Sequence, residues 1–339
     1  MATNRDRTLY SRIDKLDADE RLLEQKESVL MAGGSVDCST GSTQRQCRFD
    51  LQEKLPDDWQ GNRWKLWYGY KGRDDTEIIY IPLGVFIPVN PRDRVQAGAW
   101  VSNYQGTDKS KLFFDYKIPS PVDWPSGTTI YAIVTYCCGV VGETRPNIAP
   151  DLGTIAAPFT FEENTSLGTI LGTLLSGRNA EWFYDREGVM IVRNIQNISG
   201  KDPVLTLDPA DPIEFESERE VDDTTYFNAV TVVGGKSDTD IYRSSIQDDA
   251  AIVRAGGRIV REYFKLEGAV EQTHVDAVAA AYLKEGVLLP FTISQKNLVI
   301  PDLEVGDIIQ RTDRRFKVKW FNVPLGIDTQ TIKGGEVLL

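Results

Sequence analysis

The chain has 339 residues and carries 38 Lys and Arg against 50 Asp and Glu, so its formal net charge is −12. Its only histidine, His274, argues against catalytic triads, Cys-His dyads and histidine-rich zinc sites, because all of these need imidazole and several need more than one. The negative balance disfavours stable binding to nucleic acid or to an anionic membrane. The length predicts two or more domains. With no secretory leader and no apolar run of about 18 residues, no membrane anchor is expected.

The first 30 residues alternate weakly between apolar and polar positions. Leu9, Ile13 and Leu16 precede the segment Asp-Ala-Asp-Glu at 17–20, and two leucines follow it. Because Asp-rich segments of this kind turn the chain, a hairpin or a short arm is predicted here.

Residues 35–120 show the period of two that is typical of strands. Apolar side chains alternate with polar ones around Phe49, and again from Trp64 to Tyr70, and a β-branched run begins at Ile78. Turn residues separate these runs at regular spacing. This pattern favours an antiparallel barrel or sandwich over a parallel sheet.

The middle of the chain mixes helix and strand signals. Residues 128–138 are rich in β-branched side chains, but their length and their lack of turn residues also allow a buried helix, and periodicity leaves both open. Apolar residues over 167–175 are spaced as on one face of a helix, which Asn164 or Thr165 could cap.

An aromatic strand, a turn and a β-branched strand follow over residues 181–192. The turn reads Asp-Arg-Glu-Gly at 185–188, and its chemistry together with the β-propensity of its flanks predicts a hairpin. With the helix signals before it, the hairpin makes residues 126–200 a small α+β unit.

The last third returns to strands and contains one helix. Residues 236–258 are polar and Asp-rich and are predicted to form a surface loop, and a strand candidate follows at 259–266. Thr273 and Asp276 have the spacing of a capping box, so a helix is predicted over 273–285. A second β-rich block is completed by strand candidates at 287–294, 298–300, 308–311 and 316–323.

The order of these signals gives the domain organisation. A β-rich block stands at each end of the chain and an α+β unit stands between them, with no short-period repeat. We divide the chain into residues 1–125, 126–220 and 221–339, and we predict a β-rich α+β fold.

The four cysteines follow no zinc spacing. Cys137 and Cys138 are adjacent, which is poor geometry for pairing with each other, whereas a bridge between Cys38 and Cys47 is conceivable. Since no export signal is visible, buried free thiols are favoured over a disulfide.

The cluster Trp59, Trp64, Trp67, Tyr68 and Tyr70 has two interpretations. Aromatic faces of this kind can stack on sugar rings, and they also anchor protein interfaces. Trp64, Tyr68 and Tyr70 share one face of the predicted strand and Trp67 occupies the other. Aromatics on both faces favour a core on one side and a neighbouring subunit on the other, so Trp64, Trp67 and Tyr68 are predicted at a subunit interface.

No motif predicts catalysis, a metal site or a cofactor. Adjacent carboxylates such as Asp222-Asp223 are expected in solvated loops, and none of the paired glycines forms a dinucleotide or phosphate-loop fingerprint. No enzymatic activity, no metal and no cofactor are therefore expected.

Two further charged features have a default structural interpretation. The only basic concentration consists of Arg311, Arg314, Arg315, Lys317 and Lys319, and it is interpreted as a solvated edge strand or as a contact with an acidic neighbour. His274, just inside the predicted helix, is expected to be a surface residue.

Four passages together resemble the baseplate hub family of tailed bacteriophages, which includes late-control-type tail proteins, siphophage tail-associated proteins and the hub-like part of type VI secretion spikes. Residues 167–193 join an apolar helix to EWFYDREGVMIV, and residues 226–235 read YFNAVTVVGG. The Ala-rich segment 274–286 reads HVDAVAAAYLKEG, and residues 301–310 read PDLEVGDIIQ. The passages occur in the family's order over roughly residues 125–325.

The resemblance implies a structural virion protein. Hubs of this family assemble as homotrimers in which each chain contributes two antiparallel β-barrel-like domains, here flanking the α+β unit, to a ring that continues the tail tube. The implied partners are tail tube or distal tail proteins, the tape measure protein, and tail-tip or fibre proteins. Assembly would take place in the host cytoplasm and the final location would be the tail tip of the virion. DNA would cross the lumen during genome ejection without stable binding, helped by an acidic wall.

Two alternatives remain open at this stage. Within the same class, the chain could be a distal tail protein or another baseplate component. In a different class, it could be a carbohydrate- or receptor-binding module built on Trp64, Trp67 and Tyr68.

Overall fold

The computed structural model of the chain describes most of its residues. These are 7–27, 34–57, 59–156, 158–176, 178, 180–195, 201–207, 214–221, 226–235, 241–269, 271–287, 291–311, 314–326 and 329–337.

The first block of the chain folds into eight strands. They are β1 (Arg7–Leu16), β2 (Leu22–Glu27), β3 (Ser35–Ser39), β4 (Arg45–Leu51), β5 (Arg63–Gly72), β6 (Ile79–Pro88), β7 (Arg92–Gln96) and β8 (Ala99–Asp108). Strands β1 and β2 form the predicted N-terminal hairpin, which turns at residues 17–20. In β5, alternate side chains are buried, as the period of two predicts.

The end of the chain supplies six more strands to the same sheet. They are β14 (Leu205–Leu207), β15 (Glu214–Val221), β19 (Phe291–Asn297), β20 (Ile308–Arg311), β21 (Arg314–Pro324) and β22 (Gln330–Val337). The main path of this 14-stranded sheet is β15-β19-β22-β21-β3-β4-β8-β6-β5-β1-β2. The two end blocks join where residues 320–324 of β21 pair with residues 35–39 of β3. The β-rich, mainly antiparallel class is confirmed, and among the described residues no sheet closes into a barrel.

The middle unit packs helices against small sheets. Its elements are α1 (Ser110–Asp115), β9 (Val122–Trp124), α2 (Ile130–Val141), β10 (Pro146–Ile148), β11 (Phe159–Phe161), α3 (Leu167–Ser176), β12 (Ala180–Tyr184) and β13 (Met190–Asn194). Strands β12 and β13 form the predicted hairpin, and Asp185 Oδ1 accepts the N–H groups of Glu187 and Val189 across its turn.

Helix α2 settles the ambiguous apolar stretch as a helix. Thr129 caps it, since its side chain accepts the N–H of Ala132 at 3.1 Å, and Gly142 ends it with φ of 73°. Helix α3 is also as predicted, but its cap is neither Asn164 nor Thr165: the hydroxyl of Ser166 accepts the N–H of Thr169 at 3.1 Å.

A third unit is a three-stranded sheet covered on one face by a helix. Its elements are β16 (Ala229–Gly235), β17 (Ile241–Gln247), α4 (Asp249–Arg254), β18 (Arg261–Ala269) and α5 (Gln272–Gly286). The side chain of Asn228 fastens this unit, donating to the carbonyl of Arg258 and accepting the N–H of Val260, both at 2.8 Å. The helix predicted over 273–285 is confirmed.

Two local predictions in this unit are wrong. The segment 236–258, predicted as a loop, contains β17 and α4 within its described part. The strand was missed because β17 exposes one polar face and so lacks the composition of a buried strand. Thr273 does not cap α5: the carbonyl of Glu271 accepts the first helical N–H groups, which places Thr273 inside the first turn.

A buried charge ties the two halves of the large sheet together. Arg45 of β4 is 3% exposed; its guanidinium donates to the carbonyl of Leu83 at 3.0 Å and forms an ion pair with Glu304 from the C-terminal half. The turn that carries Glu304 is held by Asp307, whose side chain accepts the N–H of Glu304 at 2.9 Å. The Leu-x-x-Gly-Asp segment therefore positions a residue that the core needs.

The β12–β13 turn is the point where the middle unit meets the large sheet. Gly188 has φ of 75°, and a Cβ there would lie 2.6 Å from Cγ2 of Val85 in β6. Gly127 has a similar φ of 88°, but nothing lies within 4 Å of its Cβ position. Both glycines therefore have a backbone conformation that disfavours other residues, but only Gly188 also lacks space for a side chain.

We expect Gly188→Ala to destabilise the protein more than Gly127→Ala. Both substitutions carry the cost of a left-handed backbone, about 1 kcal/mol. Gly188→Ala adds the cost of overpacking against Val85, about 1–3 kcal/mol. Urea denaturation of the two variants measures the difference, and equal losses would show that the turn does not pack tightly on β6.

Candidate functional site

Strand β5 separates the three aromatic residues predicted at an interface. Trp64 and Tyr68 are 2% and 1% exposed and belong to the core of the large sheet, where the Trp64 ring lies 5.0 Å from that of Tyr104. Trp67 lies on the opposite face and is half-buried. A subunit contact at this strand stays a prediction, and of the three residues only Trp67 has surface left for a partner.

The ring of Trp67 is surrounded by charged side chains. Its indole N–H donates to Asp14 Oδ2 at 2.8 Å, and Arg12 donates to both oxygens of Asp14, each at 2.8 Å. The Arg12 guanidinium lies 4.9 Å from the ring centre and the Lys65 ammonium lies 4.4 Å from it. A sugar platform needs an open aromatic face, so this geometry favours a packed aromatic over a carbohydrate site.

A polar cleft of about 550 Å³ opens beside Trp67. Its walls are the β1–β2 turn, strand β5 and the segment that follows α2. The charged side chains that line it are Asp14, Asp19, Glu20, Arg21, Arg63, Lys65, Glu143 and Arg145. The cleft lies between the N-terminal hairpin and the middle unit, so it forms only when both are in place.

A fully buried lysine lies at the base of this region. Lys109, which follows β8, is 0% exposed, and its ammonium group lies 2.5 Å from Glu20 Oε1 and 2.8 Å from Glu143 Oε2. It also lies 4.9 Å from the centre of the Tyr184 ring. A buried ammonium ion needs such partners, because its desolvation costs several kcal/mol.

Each carboxylate of this cluster is positioned by a local turn. Gly142 ends α2 in the left-handed region and directs Glu143 inward, where it accepts the Tyr184 hydroxyl at 2.7 Å and the N–H of Arg145 at 2.8 Å. Glu20 has φ of 62° in the β1–β2 turn and also forms ion pairs with Arg63 and Arg145. A non-glycine residue at this φ is strained, and the surrounding cations hold it there.

The surroundings of Glu143 and Tyr184 shift the pKa values of both side chains. Burial by itself raises the pKa of Glu143, but the charge of Lys109 and the hydrogen bonds from Lys109, Tyr184 and Arg145 outweigh burial and lower the pKa overall. Burial and the Glu143 charge raise the pKa of the Tyr184 hydroxyl. Glu143 is thus ionised and Tyr184 neutral near pH 7, so neither of these two groups is poised to exchange a proton at that pH.

All four cysteines are buried free thiols, as predicted. Burial raises the pKa of Cys38, Cys137 and Cys138 to about 12. None of these three is a thiolate at neutral pH, and a thiolate is the nucleophilic form.

The surface position expected for His274 is corrected. The imidazole is half-buried at the start of α5, and its Nε2 lies 3.1 Å from Nη1 of Arg178. Burial lowers its pKa and the charge of Arg178 lowers it further. His274 therefore accepts a hydrogen bond as a neutral ring and links the middle unit to the third unit.

The basic concentration at the end of the chain does not lie on an edge strand. Strand β21 carries most of it and pairs with β20, β22 and β3, so both of its sides are occupied. Arg314 lies 3.6 Å from Glu336 of β22, which Arg219 also contacts at 3.0 Å. The acidic neighbour of this basic group thus belongs to the same chain.

The described residues offer neither a metal-binding cluster nor a membrane-spanning helix. No group of three or more His, Cys, Asp or Glu side chains in that part of the chain could hold a metal ion. Within the same residues, no helix combines the length and the apolar character that a membrane crossing requires.

Sequence reasoning missed the Lys109 cluster. Lys109, Glu20, Glu143 and Tyr184 come from four separate segments, and Lys109 and Glu20 are 89 positions apart. The only local signals are the turn at 17–20 and the glycine that ends α2. Neither signal indicates that the two turns meet at one lysine.

The comparisons with known proteins define the class of the fold. No protein-family model and no curated protein matches the sequence. Among solved structures, the tail protein from Neisseria meningitidis MC58 matches with a TM-score of 0.68 at 11% identity, covering 96% of each chain. The prophage MuSo2 43 kDa tail protein from Shewanella oneidensis matches with a TM-score of 0.67 at 10% identity, covering 96% of this chain and 98% of that one.

A third match extends the class beyond phages. The Escherichia coli c3393 protein, a component of the type VI secretion system that is structurally similar to T4 tail proteins gp27 and gp5, matches with a TM-score of 0.50 at 9% identity, covering 98% of this chain and 74% of that one. The chain thus has the fold of phage tail proteins and of a type VI secretion component. The resemblance inferred from its four passages is confirmed at the level of the fold.

We expect Lys109→Met to destabilise the protein by about 3–5 kcal/mol, because it leaves the carboxylate of Glu143 buried without its cation. Lys111→Met is a matched control from the next turn of chain, since Lys111 forms an exposed i, i+4 pair with Asp115. The control should lose less than about 1 kcal/mol. Denaturant unfolding measures both, and equal losses would contradict a structural role for the buried cluster.

The pH dependence of stability should change in Glu143→Gln. A carboxylate whose pKa is lower in the folded chain contributes stability above its unfolded pKa of about 4.3, and this contribution is lost as the pH falls through the folded pKa. The wild type should therefore exceed the variant in stability at neutral pH, and the gap should narrow in acid. A gap that is constant from neutral to acid pH would contradict the lowered pKa.

Proposed function

We propose that the chain is a structural component of a phage-type tail. The observation that carries this proposal is the match over almost the whole length of both chains to tail proteins, with no large part of either left unmatched. The four passages that resemble the hub family also support it, because each forms the kind of local structure that the resemblance implies. These structures are the β12–β13 hairpin, strand β16 after Asn228, helix α5 and the turn at Asp307.

Within that class, we assign the role of the baseplate or tail-tip hub. In this role three copies form a ring that continues the tail tube. The two halves of the large sheet, which meet at β3 and β21, are the parts that would act as the two barrel-like domains of each copy. Three copies with two such halves each would give the near six-fold surface that a tail tube requires.

The neighbours follow from this position in the virion. The ring would contact tail tube or distal tail proteins and the tape measure protein on one side, and tail-tip or fibre proteins on the other. Assembly would take place in the host cytoplasm before incorporation at the tail tip. We assign no enzymatic activity to the chain, since neither Glu143 nor Tyr184 is poised to exchange a proton near pH 7 and the raised pKa values of the buried thiols keep them protonated.

The net charge of −12 suits a channel that DNA crosses without being held. An acidic wall repels phosphate and so prevents the counterion release that drives nucleic-acid binding. A map of the assembled ring with a basic lumen would contradict this part of the proposal.

Copy number and position in the tail test the proposal. A chain that carries an exposed epitope tag would be incorporated into tail particles and imaged by cryo-electron microscopy with a tag-specific antibody fragment. We expect three fragments at the tip end of each particle. Six fragments in a ring would favour a distal tail protein, and tails that assemble without the chain would overturn the structural role.

A further inference from the structure

The sheet of the third unit has one face that no element of that unit covers. Helix α5 packs on the other face, where Val230, Val232 and Leu266 form the core with residues of the helix. On the opposite face, alternate residues of β17 are exposed from Ile241 to Gln247, and Arg261, Tyr263 and Lys265 of β18 are exposed. Glu262 is exposed too, but it pairs with Val230 and so belongs to the face on which α5 packs.

This face is basic in an acidic protein. Arg243, Arg261 and Lys265 point from it, and Tyr263 between the two β18 cations is 58% exposed. The Arg261 guanidinium reaches across this face and donates to the hydroxyls of Thr231 in β16 at 3.3 Å and Ser245 in β17 at 2.9 Å. Among the residues that the structure describes, none of the three cations forms an ion pair, so their charge is available to a partner.

Strand β15 has the opposite character. Glu216, Glu218 and Glu220 occupy alternate positions along it and all three are exposed. It pairs with β19 and forms one end of the large sheet, so its outer side is unpaired within the described part of the chain. Glu216 lies 2.5 Å from Lys296 in an exposed pair, whereas Glu218 and Glu220 have no cation among the described residues.

The two surfaces match in spacing as well as in charge. Residues four apart on a strand share a face and lie about 13 Å apart. This separation holds for the backbone positions of Arg261 and Lys265 and equally for those of Glu216 and Glu220, so the two pairs of positions have the same spacing. The Tyr263 hydroxyl then lies opposite Glu218, to which it can donate a hydrogen bond.

We propose that the basic face of β17–β16–β18 in one copy of the chain binds the acidic strand β15 of a second copy. The contact joins two different surfaces, so each copy can bind one neighbour through each surface, and repetition of the contact builds a ring or an open chain. The self-association is a property of the chain alone; its location in a tail ring rests on the proposed function. Rim charges of this kind mainly set orientation and association rate, so the contact is sensitive to salt.

Charge reversal tests this contact. Sedimentation velocity would compare the full wild-type chain with Arg261→Glu/Lys265→Glu and with Glu218→Lys/Glu220→Lys, in low-salt and high-salt buffer. We expect the wild type to self-associate in low salt and to dissociate in high salt. Each double variant should associate at least about tenfold more weakly than the wild type. A wild-type chain that is monomeric at all concentrations in low salt would overturn the proposal.

Complementation separates the proposed pairing from a general effect of charge. An equimolar mixture of the two double variants should recover association, because the reversed surfaces complement each other, and so should a chain that carries all four substitutions. Arg92→Glu/Arg94→Glu, on the exposed strand β7, is the matched control and should behave as the wild type. Failure of both the mixture and the four-substitution chain to recover overturns the pairing.

The outcome is distinguishable from that of the tail experiment. A chain present in tails in three copies, whose association ignores these four residues, would overturn this contact and leave the proposed function in place. A chain that associates through them but is absent from tails would do the reverse.

Discussion

The contact between the large sheet and the middle unit depends on one buried ammonium group, that of Lys109. Lys109 has no exposed surface, and without carboxylate partners its burial would cost several kcal/mol. Its partners come from the N-terminal hairpin and from the end of α2, so the charge is compensated only when the large sheet and the middle unit are both folded and in contact. Such a pair adds little net stability over an apolar core, but it strongly penalises every arrangement that separates the two units.

The other long-range contacts have the same effect at other junctions. Arg45 and Glu304 join the two halves of the large sheet, and Arg178 contacts His274 between the middle and third units. Each unit therefore has an apolar core of its own, and charged side chains hold the units in fixed positions relative to one another. Fixed relative positions of the units would suit the tail role that we propose, in which the surfaces of the chain must align with its neighbours. The cleft at Trp67 lies at one of these junctions, between the N-terminal hairpin and the segment that follows α2.

Helices and hairpins could be predicted from the sequence where their turn residues and apolar spacing lie within one short segment. The hairpins at 17–20 and 185–188 and the helices α3 and α5 follow from turn residues and apolar spacing, both visible within some 15 residues. The capping signals of α2, Thr129 and Gly142, were present too, but the β-branched content masked them. Strand β17 was not predicted, because its sheet is covered on one face only and the strand therefore carries many polar residues. The pairing of β3 with β21 and the partners of Lys109 could not be predicted, because each depends on segments far apart in the chain.

Native-state hydrogen exchange tests most directly whether the Lys109 cluster couples the units. In the wild type, the slowest amides of β5 in the large sheet and of β12 in the middle unit should exchange with the same free energy of opening, because the two units unfold together. In Lys109→Met, the amides of β12 should exchange at a lower free energy than those of β5. Independent opening of the two units already in the wild type would contradict the account.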